Sequence, residues 1–356
     1  MPGVQSKLTP LEIEKRNRLK LYKPLVYDKA KNFDKKLQKG ESIAIIQLQY
    51  NYICNFHCSH CSISDFQHKK DARALTIDDV RRLSRQADEL GLAHIDVTGG
   101  EPLLFKDLDQ LIEAIDPGKF YIQMDTNGWL MTDEKAKHLK SIGVDKIQLS
   151  LDSLSAEEHD AFRCKPGSYE RALQTIDSVK KAGLNFHIAT VVTHKRLRSE
   201  EFIKFLEFAK MKEVAVSVCW PKPVGEWAGN FSDLITIEDI AYLDSLRSKY
   251  NIYEHLTPSY GLNIGCVAVK RMISITQFGD VLPCPWMYFS LGNIFNEPLE
   301  DILKRGMKYF KKHESTCLVS SNKDFVRKYI TKTYGREVPV PIEEILPLDF
   351  SERKNV

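Results

Sequence analysis

The chain has 356 residues, 43% hydrophobic and 28% charged, which is enough for one barrel of about 250 residues plus a smaller module. Its 51 basic and 48 acidic residues leave a net charge of +3, which gives no reason to expect a nucleic-acid partner. No apolar run approaches the roughly 20 residues that span a bilayer, and the N-terminus lacks a signal-peptide core, so we expect no membrane partner and a cytoplasmic location.

Residues 1–41 are charged and lack strand patterning, which predicts a helical N-terminal extension. From residue 42 onward, short apolar segments alternate with helical patterns. These segments are apolar along much of their length, which is typical of strands buried on both faces. The six predicted strands cover residues 43–50, 94–98, 120–126, 146–151, 186–192 and 214–220.

The helices between these strands carry capping signals. Thr76 precedes one helix with Asp79 three residues later, Ser168 and Ser199 precede two others, and Gly183 marks an end. Alternating strands and helices predict an α/β fold, a partial (β/α)6 TIM-like barrel over residues 42–255. In such a barrel the functional residues lie at the C-terminal ends of the strands.

After the barrel, residues 256–335 are predicted to form a small α+β module. Residues 271–293 have the pattern of a hairpin that turns at Gly279-Asp280, and residues 297–310 have that of a short helix. The remaining residues, 336–356, are rich in proline and are predicted to be an extended tail.

Three cysteines stand directly after the first strand. Cys54, Cys58 and Cys61 have the spacing C-x3-C-x2-C, with His57 and His60 between them. The spacing alone fits a Cys3His zinc site, or a [4Fe–4S] cluster with one open iron, or ordinary packing. Clustered cysteines in a chain that stays inside the cell favour metal chemistry over disulfides.

The second strand ends in the sequence Thr98-Gly99-Gly100-Glu101-Pro102. Two glycines allow a close approach of the backbone to a ligand, and Glu101 adds a carboxylate acceptor beside it. A strand-to-helix turn without any ligand could also use Gly-Gly.

Together, C-x3-C-x2-C and Gly-Gly-Glu-Pro resemble the radical SAM superfamily over residues 42–330. The resemblance implies that Cys54, Cys58 and Cys61 hold a [4Fe–4S] cluster whose open iron binds the amino and carboxylate groups of S-adenosylmethionine (SAM). It implies reductive cleavage of SAM to a 5′-deoxyadenosyl radical, which abstracts hydrogen from a substrate. It also implies a one-electron reductant such as flavodoxin or ferredoxin.

The same resemblance assigns further residues to the cofactor. It places the residue before the last cysteine against the adenine, the glutamate at the methionyl ammonium and the arginine of "HDAFR" at the methionine carboxylate. The residues implied to bind SAM are His60, Gly99, Gly100, Glu101, Pro102, Asn127, Ser150, Asp152 and Arg163.

A second cysteine group lies in the C-terminal module. Cys266 and Cys284 flank Gly279 in the pattern C-x12-G-x4-C, which resembles the start of SPASM and twitch modules. These modules house auxiliary iron–sulfur clusters. Only Cys317 follows, which favours the shorter twitch form and leaves a fourth position that Cys219 or His313 could fill. The alternative is three buried packing cysteines.

The predicted function is a radical SAM enzyme whose auxiliary cluster assists the net oxidation of a small molecule or peptide. One alternative is a rearrangement or peptide maturation in which the auxiliary cluster orients the substrate. A zinc-stabilised binding protein without redox chemistry is the alternative of another class. Cys164 and Cys219 are interpreted as packing residues rather than ligands, and of the two Cys219 is expected to face the cavity. Lys222 is interpreted as either a substrate contact or a solvent-facing residue.

Overall fold

The computed structural model describes residues 4–5, 10–67, 72–258, 262–312, 314–348 and 350. None of the helices in these ranges is both long and apolar enough to cross a lipid bilayer.

The N-terminal extension is helical and covers the N-terminal ends of the barrel strands. It contains β1 (Val4–Gln5), α1 (Pro10–Tyr22), α2 (Pro24–Ala30) and α3 (Phe33–Gln38). Lys23, at the start of α2, donates a hydrogen bond to the carbonyl of Phe120 at 2.7 Å and pairs with the buried Asp145. The extension is therefore fastened to the barrel by a buried ion pair.

The barrel contains all six predicted strands and a short seventh. They are β2 (Ile45–Asn51), β3 (His94–Gly99), β4 (Tyr121–Thr126), β5 (Lys146–Ser150), β6 (Asn185–Val191), β7 (Ala215–Cys219) and β8 (Ile252–Tyr253). Each pairs in parallel with the next. The helices that connect or flank them are α4 (Ile77–Glu89), α5 (Leu108–Ile115), α6 (Asp133–Ser141), α7 (Ala156–Arg163), α8 (Ser168–Ala182), α9 (His194–Leu197), α10 (Glu200–Met211) and α11 (Ile237–Leu246).

The strands are buried on both faces, but only one face is apolar. On β2, Ile46 and Leu48 pack into the main core, while Gln47 and Gln49 lie on the opposite face. The opposite face, which lines the barrel lumen, is polar on the neighbouring strands as well, because parallel register places Gln47 beside Asp96. The expectation of mainly apolar strands was therefore wrong for the lumen face.

The capping signals largely hold. Thr76 and Asp79 form a capping box at α4, and the Ser199 hydroxyl accepts from the Phe202 N–H at α10. The prediction for α8 was wrong by one residue, because Gly167 is its N-cap. Ser168 instead donates to Asp160 Oδ1 at 2.8 Å.

The C-terminal module is joined to the barrel through its hairpin. Strand β9 (Leu262–Asn263) pairs with β1, and the hairpin consists of β10 (Met272–Ile275) and β11 (Val281–Leu282). Strand β10 also pairs in parallel with β2. One nine-stranded sheet, in the order β11-β10-β2-β3-β4-β5-β6-β7-β8, therefore runs through both parts.

The rest of the module packs around this hairpin. It comprises β12 (Phe289–Ser290), α12 (Leu299–Tyr309), α13 (Lys323–Lys328), β13 (Val340–Pro341) and α14 (Ile342–Ile345). Strand β13 pairs in parallel with β12, and Ile342 and Ile345 are buried. The tail is thus only partly extended, because its apolar residues form a short strand and one helical turn against the module. Short 3-10 helices lie at Ser64–Phe66, Pro102–Leu104, Gly225–Trp227 and Ile330–Thr333.

Candidate active site

The first cysteine group lies in the loop that follows β2. The residues Cys54, Cys58 and Cys61 are partly exposed, and their thiols interact electrostatically with one another. Burial raises the pKa of Cys54 to about 11 and that of Cys61 to about 12. The sulfur atoms accept hydrogen bonds: Phe56 N–H donates to Cys54 Sγ at 3.4 Å, and Arg163 Nη1 donates to Cys58 Sγ at 3.9 Å. Burial also raises the pKa of Cys58. A metal that binds these thiols must therefore displace their protons.

The arrangement of these side chains fits a cluster better than a single ion. Within the described ranges, no three His, Cys, Asp or Glu side chains come close enough to share one metal ion. A zinc site needs four donor atoms about 2.0–2.3 Å from one centre. A [4Fe–4S] cluster spreads its thiolates over different irons and accommodates a wider triplet.

Two glycines bring the end of β3 against the cysteine loop. A Cβ on Gly99 would lie 2.3 Å from the carbonyl oxygen of Asn51, and one on Gly100 would lie 1.9 Å from that of Ile53. The N–H groups of Gly100 and Glu101 donate to these two carbonyls, each at 2.8 Å. The close neighbour of the glycines is therefore the backbone just before Cys54.

Glu101 is buried between β3 and β4. Its Oε1 accepts from Thr126 Oγ1 at 2.7 Å and from the Leu103 N–H at 3.1 Å, and its Oε2 accepts from the Asn127 N–H at 2.8 Å. Burial raises the pKa of this carboxyl, and the three donors oppose that shift. Because a carboxylate can accept about four hydrogen bonds, one position remains for a further donor.

Asn127 extends this network to the cysteine loop. Its Nδ2 donates to Asn55 Oδ1 at 2.9 Å, and its Oδ1 accepts from the Trp129 N–H at 2.9 Å. Pro102 begins the 3-10 helix after Glu101, and Ser150 is the last residue of β5. These residues all lie at the C-terminal ends of their strands, as a barrel active site requires.

Arg163 and Asp152 form a buried pair beside Cys58. Arg163 Nε donates to Asp152 Oδ2 at 2.7 Å, and Nη2 contacts the same oxygen at 2.6 Å. Asp152 Oδ1 also accepts from the Val191 N–H at 2.9 Å. Burial raises the pKa of Asp152, but Arg163, His60, the Val191 N–H and His159 together lower it by more, so the net shift of this pKa is downward. A guanidinium has five N–H donors, so two remain available for a carboxylate.

His60 lies in an aromatic stack at the edge of the site. Its ring is parallel to that of Phe162 with centroids 4.2 Å apart, and the ring of Trp227 lies edge-on at 6.1 Å. Burial lowers the pKa of His60 to about 3, so the imidazole is neutral, and its Nδ1 has no partner among the described residues.

The second cysteine group is sealed inside the C-terminal module. Cys266, Cys284 and Cys317 are only 4%, 4% and 5% exposed. The Cys284 thiol interacts electrostatically with the other two, and the Cys266 thiol interacts with that of Cys317. Burial raises the pKa of Cys266 to about 11. The fold thus brings these three thiols together, as the spacing predicted.

The two cysteines outside these groups, Cys164 and Cys219, differ in their exposure to solvent. Cys164 is exposed at the end of α7, so the interpretation as a packing residue was wrong. Burial raises the pKa of Cys219 to about 11, and its thiol interacts electrostatically with Lys222, Asp152 and Arg163. His313 lies outside the described residues.

Sequence reasoning missed a row of ionisable side chains inside the barrel. Asp96 and His187 are buried on the lumen face, and Asp125 and Lys146 lie on the strands between them. Burial raises the pKa of Asp125, with Asp96 adding to the shift, and burial lowers the pKa of Lys146 to about 8. The signal was the alternation of polar and apolar residues in segments such as "YIQMDT" and "KIQLS".

Comparison with known proteins decides the family. Residues 48–209 match the family model of the radical SAM superfamily, and residues 266–322 match that of SPASM, an iron–sulfur cluster-binding domain. The chain belongs to the radical SAM superfamily. As a radical SAM enzyme with a SPASM/twitch-type module, it uses a [4Fe–4S] cluster, SAM and an auxiliary iron–sulfur cluster.

Two relatives and one solved structure illustrate what this chain is similar to. The AdoMet-dependent heme synthase of Methanosarcina barkeri is 28% identical over 279 residues, which are 70% of this chain and 78% of the relative. The GTP 3′,8-cyclase of Marinobacter nauticus is 30% identical over 188 residues, which are 52% of this chain and 56% of the relative. The structure of Streptococcus suis SuiB bound to the precursor peptide SuiA has a TM-score of 0.61 at 19% identity, over 78% of this chain and 69% of that chain. This last similarity shows the fold alone.

Proposed function

We propose that Cys54, Cys58 and Cys61 hold the SAM-binding cluster of this radical SAM enzyme. Three buried residues support this assignment, because each donates a hydrogen bond to the cysteine loop. They are Glu101, which bonds to Ile53, Asn127, which bonds to Asn55, and Arg163, which bonds to Cys58. When bound, the loop cluster supplies the electron that cleaves SAM, and the auxiliary cluster supplies an acceptor for the electron that a substrate radical loses in a net oxidation. The protein's own contribution is to hold SAM in place and to exclude water.

The polar groups at the barrel mouth have roles that match the two ends of methionine. Glu101 would accept from the methionyl ammonium through its remaining lone pair, while Arg163 would donate its two remaining N–H groups to the carboxylate. Asn127, Ser150 and Asp152 would contact the ribose or the carboxylate. His60 would lie beside the adenine, where its unpartnered Nδ1 supplies a hydrogen-bonding atom.

We propose that Cys266, Cys284 and Cys317 hold the auxiliary cluster and leave its fourth iron without a module cysteine. Cys219 is a weak candidate for the fourth ligand of the auxiliary cluster. The main electrostatic neighbours of its thiol include Asp152 and Arg163 at the proposed SAM site and no module cysteine. The domain limits at residues 41, 255 and 335 stay predictions, as does a reductant such as flavodoxin or ferredoxin.

Net oxidation of a substrate in the lumen is the function that the geometry supports best. The observation that carries it is a continuous path of interacting side chains between the two cysteine groups. Arg163 contacts Cys58 and Asp152. Cys219 interacts electrostatically with both members of that pair, and Lys222 interacts electrostatically with Cys219, Cys284 and Cys317. A substrate radical in the lumen would thus form close to both groups.

The lumen also indicates the kind of substrate. Buried carboxyl, ammonium and imidazole groups on β3 to β6 favour a substrate rich in hydrogen-bonding atoms, such as a peptide or a polar small molecule.

The second candidate function is a rearrangement or peptide maturation in which an open iron of the auxiliary cluster orients the substrate. The count of three module cysteines favours this alternative.

The test is anaerobic reconstitution followed by incubation with SAM, a reductant and candidate peptides or polar small molecules. Formation of 5′-deoxyadenosine containing deuterium from a labelled substrate identifies the abstracted hydrogen. Product two hydrogens lighter than the substrate supports oxidation, and product of unchanged mass supports rearrangement. An absence of 5′-deoxyadenosine with fully loaded protein would contradict the assignment of the loop cysteines.

A further inference from the structure

Lys222 is a buried cation in the loop between β7 and the 3-10 helix at Gly225–Trp227. The residue is 7% exposed. Its ammonium donates to the carbonyl of Trp220 at 2.8 Å and lies 4.4 Å from the ring centroid of Trp286, two residues after Cys284. The Trp286 contact places this ammonium against the segment of the module that carries Cys284.

The groups that interact electrostatically with this ammonium are mainly cysteine thiols, which become anionic only when they bind a metal. Its strongest electrostatic partners are the thiols of Cys317, Cys219 and Cys284, followed by Glu254. Glu254 is engaged elsewhere: it accepts from the Leu256 N–H at 2.9 Å and lies 3.7 Å from Arg247. Among the described residues, no carboxylate lies within ion-pair distance of Lys222.

A buried lysine without a counter-ion is costly, because desolvation of an ammonium is repaid only by a nearby opposite charge. Three thiolates on an oxidised [4Fe–4S] cluster outweigh the positive charge of its iron and sulfide core, and reduction adds one more negative charge. The cluster that the module would hold is therefore a counter-ion for Lys222. The reduced cluster, which carries one more negative charge, stabilises the Lys222 ammonium more than the oxidised cluster does.

We propose that Lys222 is the buried counter-charge of the auxiliary cluster and raises its reduction potential. Net charge beside a cluster is one of the factors that set this potential. The inference rests on the proposed auxiliary cluster of Cys266, Cys284 and Cys317. It adds a positioning residue that makes this cluster a better electron acceptor.

The experiment is a potentiometric titration of the fully loaded chain, followed by electron paramagnetic resonance. The variants are Lys222→Met and Lys222→Gln, which remove the charge, and Lys222→Arg, which keeps it. Lys29→Met is the matched control, because it removes a half-buried lysine that pairs with Asp88 at 2.7 Å in the N-terminal extension. The loop cluster is the reference within each sample, and its signal is identified in the Cys266/Cys284/Cys317 triple alanine variant.

The expected result is a shift of the auxiliary potential to more negative values in Lys222→Met and Lys222→Gln. Lys222→Arg and Lys29→Met should leave the reduction potential of the auxiliary cluster near its native value. The reduction potential of the loop cluster should be unchanged in all variants. Loss of auxiliary iron in both neutral variants but not in Lys222→Arg would support the same role during assembly. An unchanged potential in the neutral variants, or loss of iron in all three substitutions, would overturn the inference.

Failure of the underlying assignment has a different signature. If the Cys266/Cys284/Cys317 variant keeps its full iron content, the module holds no cluster, and the inference about Lys222 fails with it. If that variant loses about four irons while the neutral Lys222 variants keep the native potential, only the inference about Lys222 is wrong.

Discussion

The loop cysteines and the module cysteines differ in their exposure to solvent. Cys54, Cys58 and Cys61 are partly exposed, whereas Cys266 and Cys284 are each 4% exposed. An open loop allows a cofactor to enter and leave in every turnover. A sealed module protects a cluster from water and suits a group that passes electrons without leaving. The difference supports the proposal that SAM is cleaved at the loop and that the module cluster accepts electrons.

The largest expected effect comes from removing the loop thiols. Replacing Cys54, Cys58 and Cys61 with alanine should lower iron from about eight to about four per chain and abolish SAM cleavage, because no cluster would remain beside Glu101 and Arg163. Iron analysis and a 5′-deoxyadenosine assay measure this. Normal 5′-deoxyadenosine production by the variant would show that Cys54, Cys58 and Cys61 do not hold the SAM-binding cluster.

Removing the module thiols should separate the two functions. With Cys266, Cys284 and Cys317 replaced by alanine, iron should again fall to about four per chain. SAM cleavage should persist while substrate conversion is lost, because the loop remains intact. Cys164→Ala is the matched control, since that cysteine is exposed and outside both groups. Normal product formation by the triple variant would mean that the module cysteines only pack.

Glu101→Ala should weaken SAM binding without lowering iron. A charge-assisted hydrogen bond contributes about 1.5–3 kcal/mol, which corresponds to about 10- to 150-fold in affinity. Calorimetric titration of the loaded protein with SAM measures the change, and Glu113→Ala on the exposed side of α5 is the control. Unchanged affinity would restrict Glu101 to its structural bonds with Thr126 and Asn127.

Gly100→Ala should damage the loop without touching the module. Its Cβ would overlap the Ile53 carbonyl at 1.9 Å, and overpacking of this kind costs about 1–3 kcal/mol. We expect a lower unfolding midpoint in urea and a selective loss of loop iron. Gly118→Ala is the control, because its Cβ would meet only a side-chain atom of Asp116 at 3.2 Å. Equal effects of both variants would contradict the close packing of β3 on the loop.

The smallest expected effect is on thiol reactivity in the metal-free protein. Iodoacetamide should modify Cys164 first, the loop cysteines next and the buried module cysteines last. Because burial raises the pKa of Cys54 to about 11, the rate at this residue should rise about tenfold per pH unit around neutrality, as its thiolate fraction does. Peptide mass spectrometry over time gives the order. Modification of Cys284 before Cys54 would contradict the difference in exposure.

The sequence predicted those parts of the molecule that depend on local spacing. The Thr76–Asp79 capping box lies within four residues, so its geometry is set by the chain nearby. Gly99 and Gly100 were expected to admit a ligand, but their close neighbours are the carbonyls of Asn51 and Ile53. The role of C-x3-C-x2-C stays a prediction. The pairing of β10 with β2 could not be predicted, since it joins segments more than 200 residues apart. Lys222 was ambiguous for the same reason, because its burial depends on a module that folds over it.

The polar lumen was predictable and was missed. Each strand segment alternates polar and apolar residues, as in Gln47–Leu48–Gln49, and this period-two pattern distinguishes two faces. Expecting parallel strands to be apolar throughout gave too little weight to that alternation. The lumen face carries polar residues such as Asp96 and His187, whereas the other face packs into the apolar core.

The parallel ladder between β10 and β2 has a mechanical consequence. The strand that leads into the Cys54 loop and the hairpin between Cys266 and Cys284 share four consecutive registered pairs, from Met272 beside Ile45 to Ile275 beside Leu48. Rotating one part against the other would break that ladder, so the barrel and the hairpin hold the two cysteine groups at a fixed separation. In the proposed electron transfer, only side chains between the two groups could then adjust the rate, and Lys222, Arg163 and Asp152 are charged residues among them.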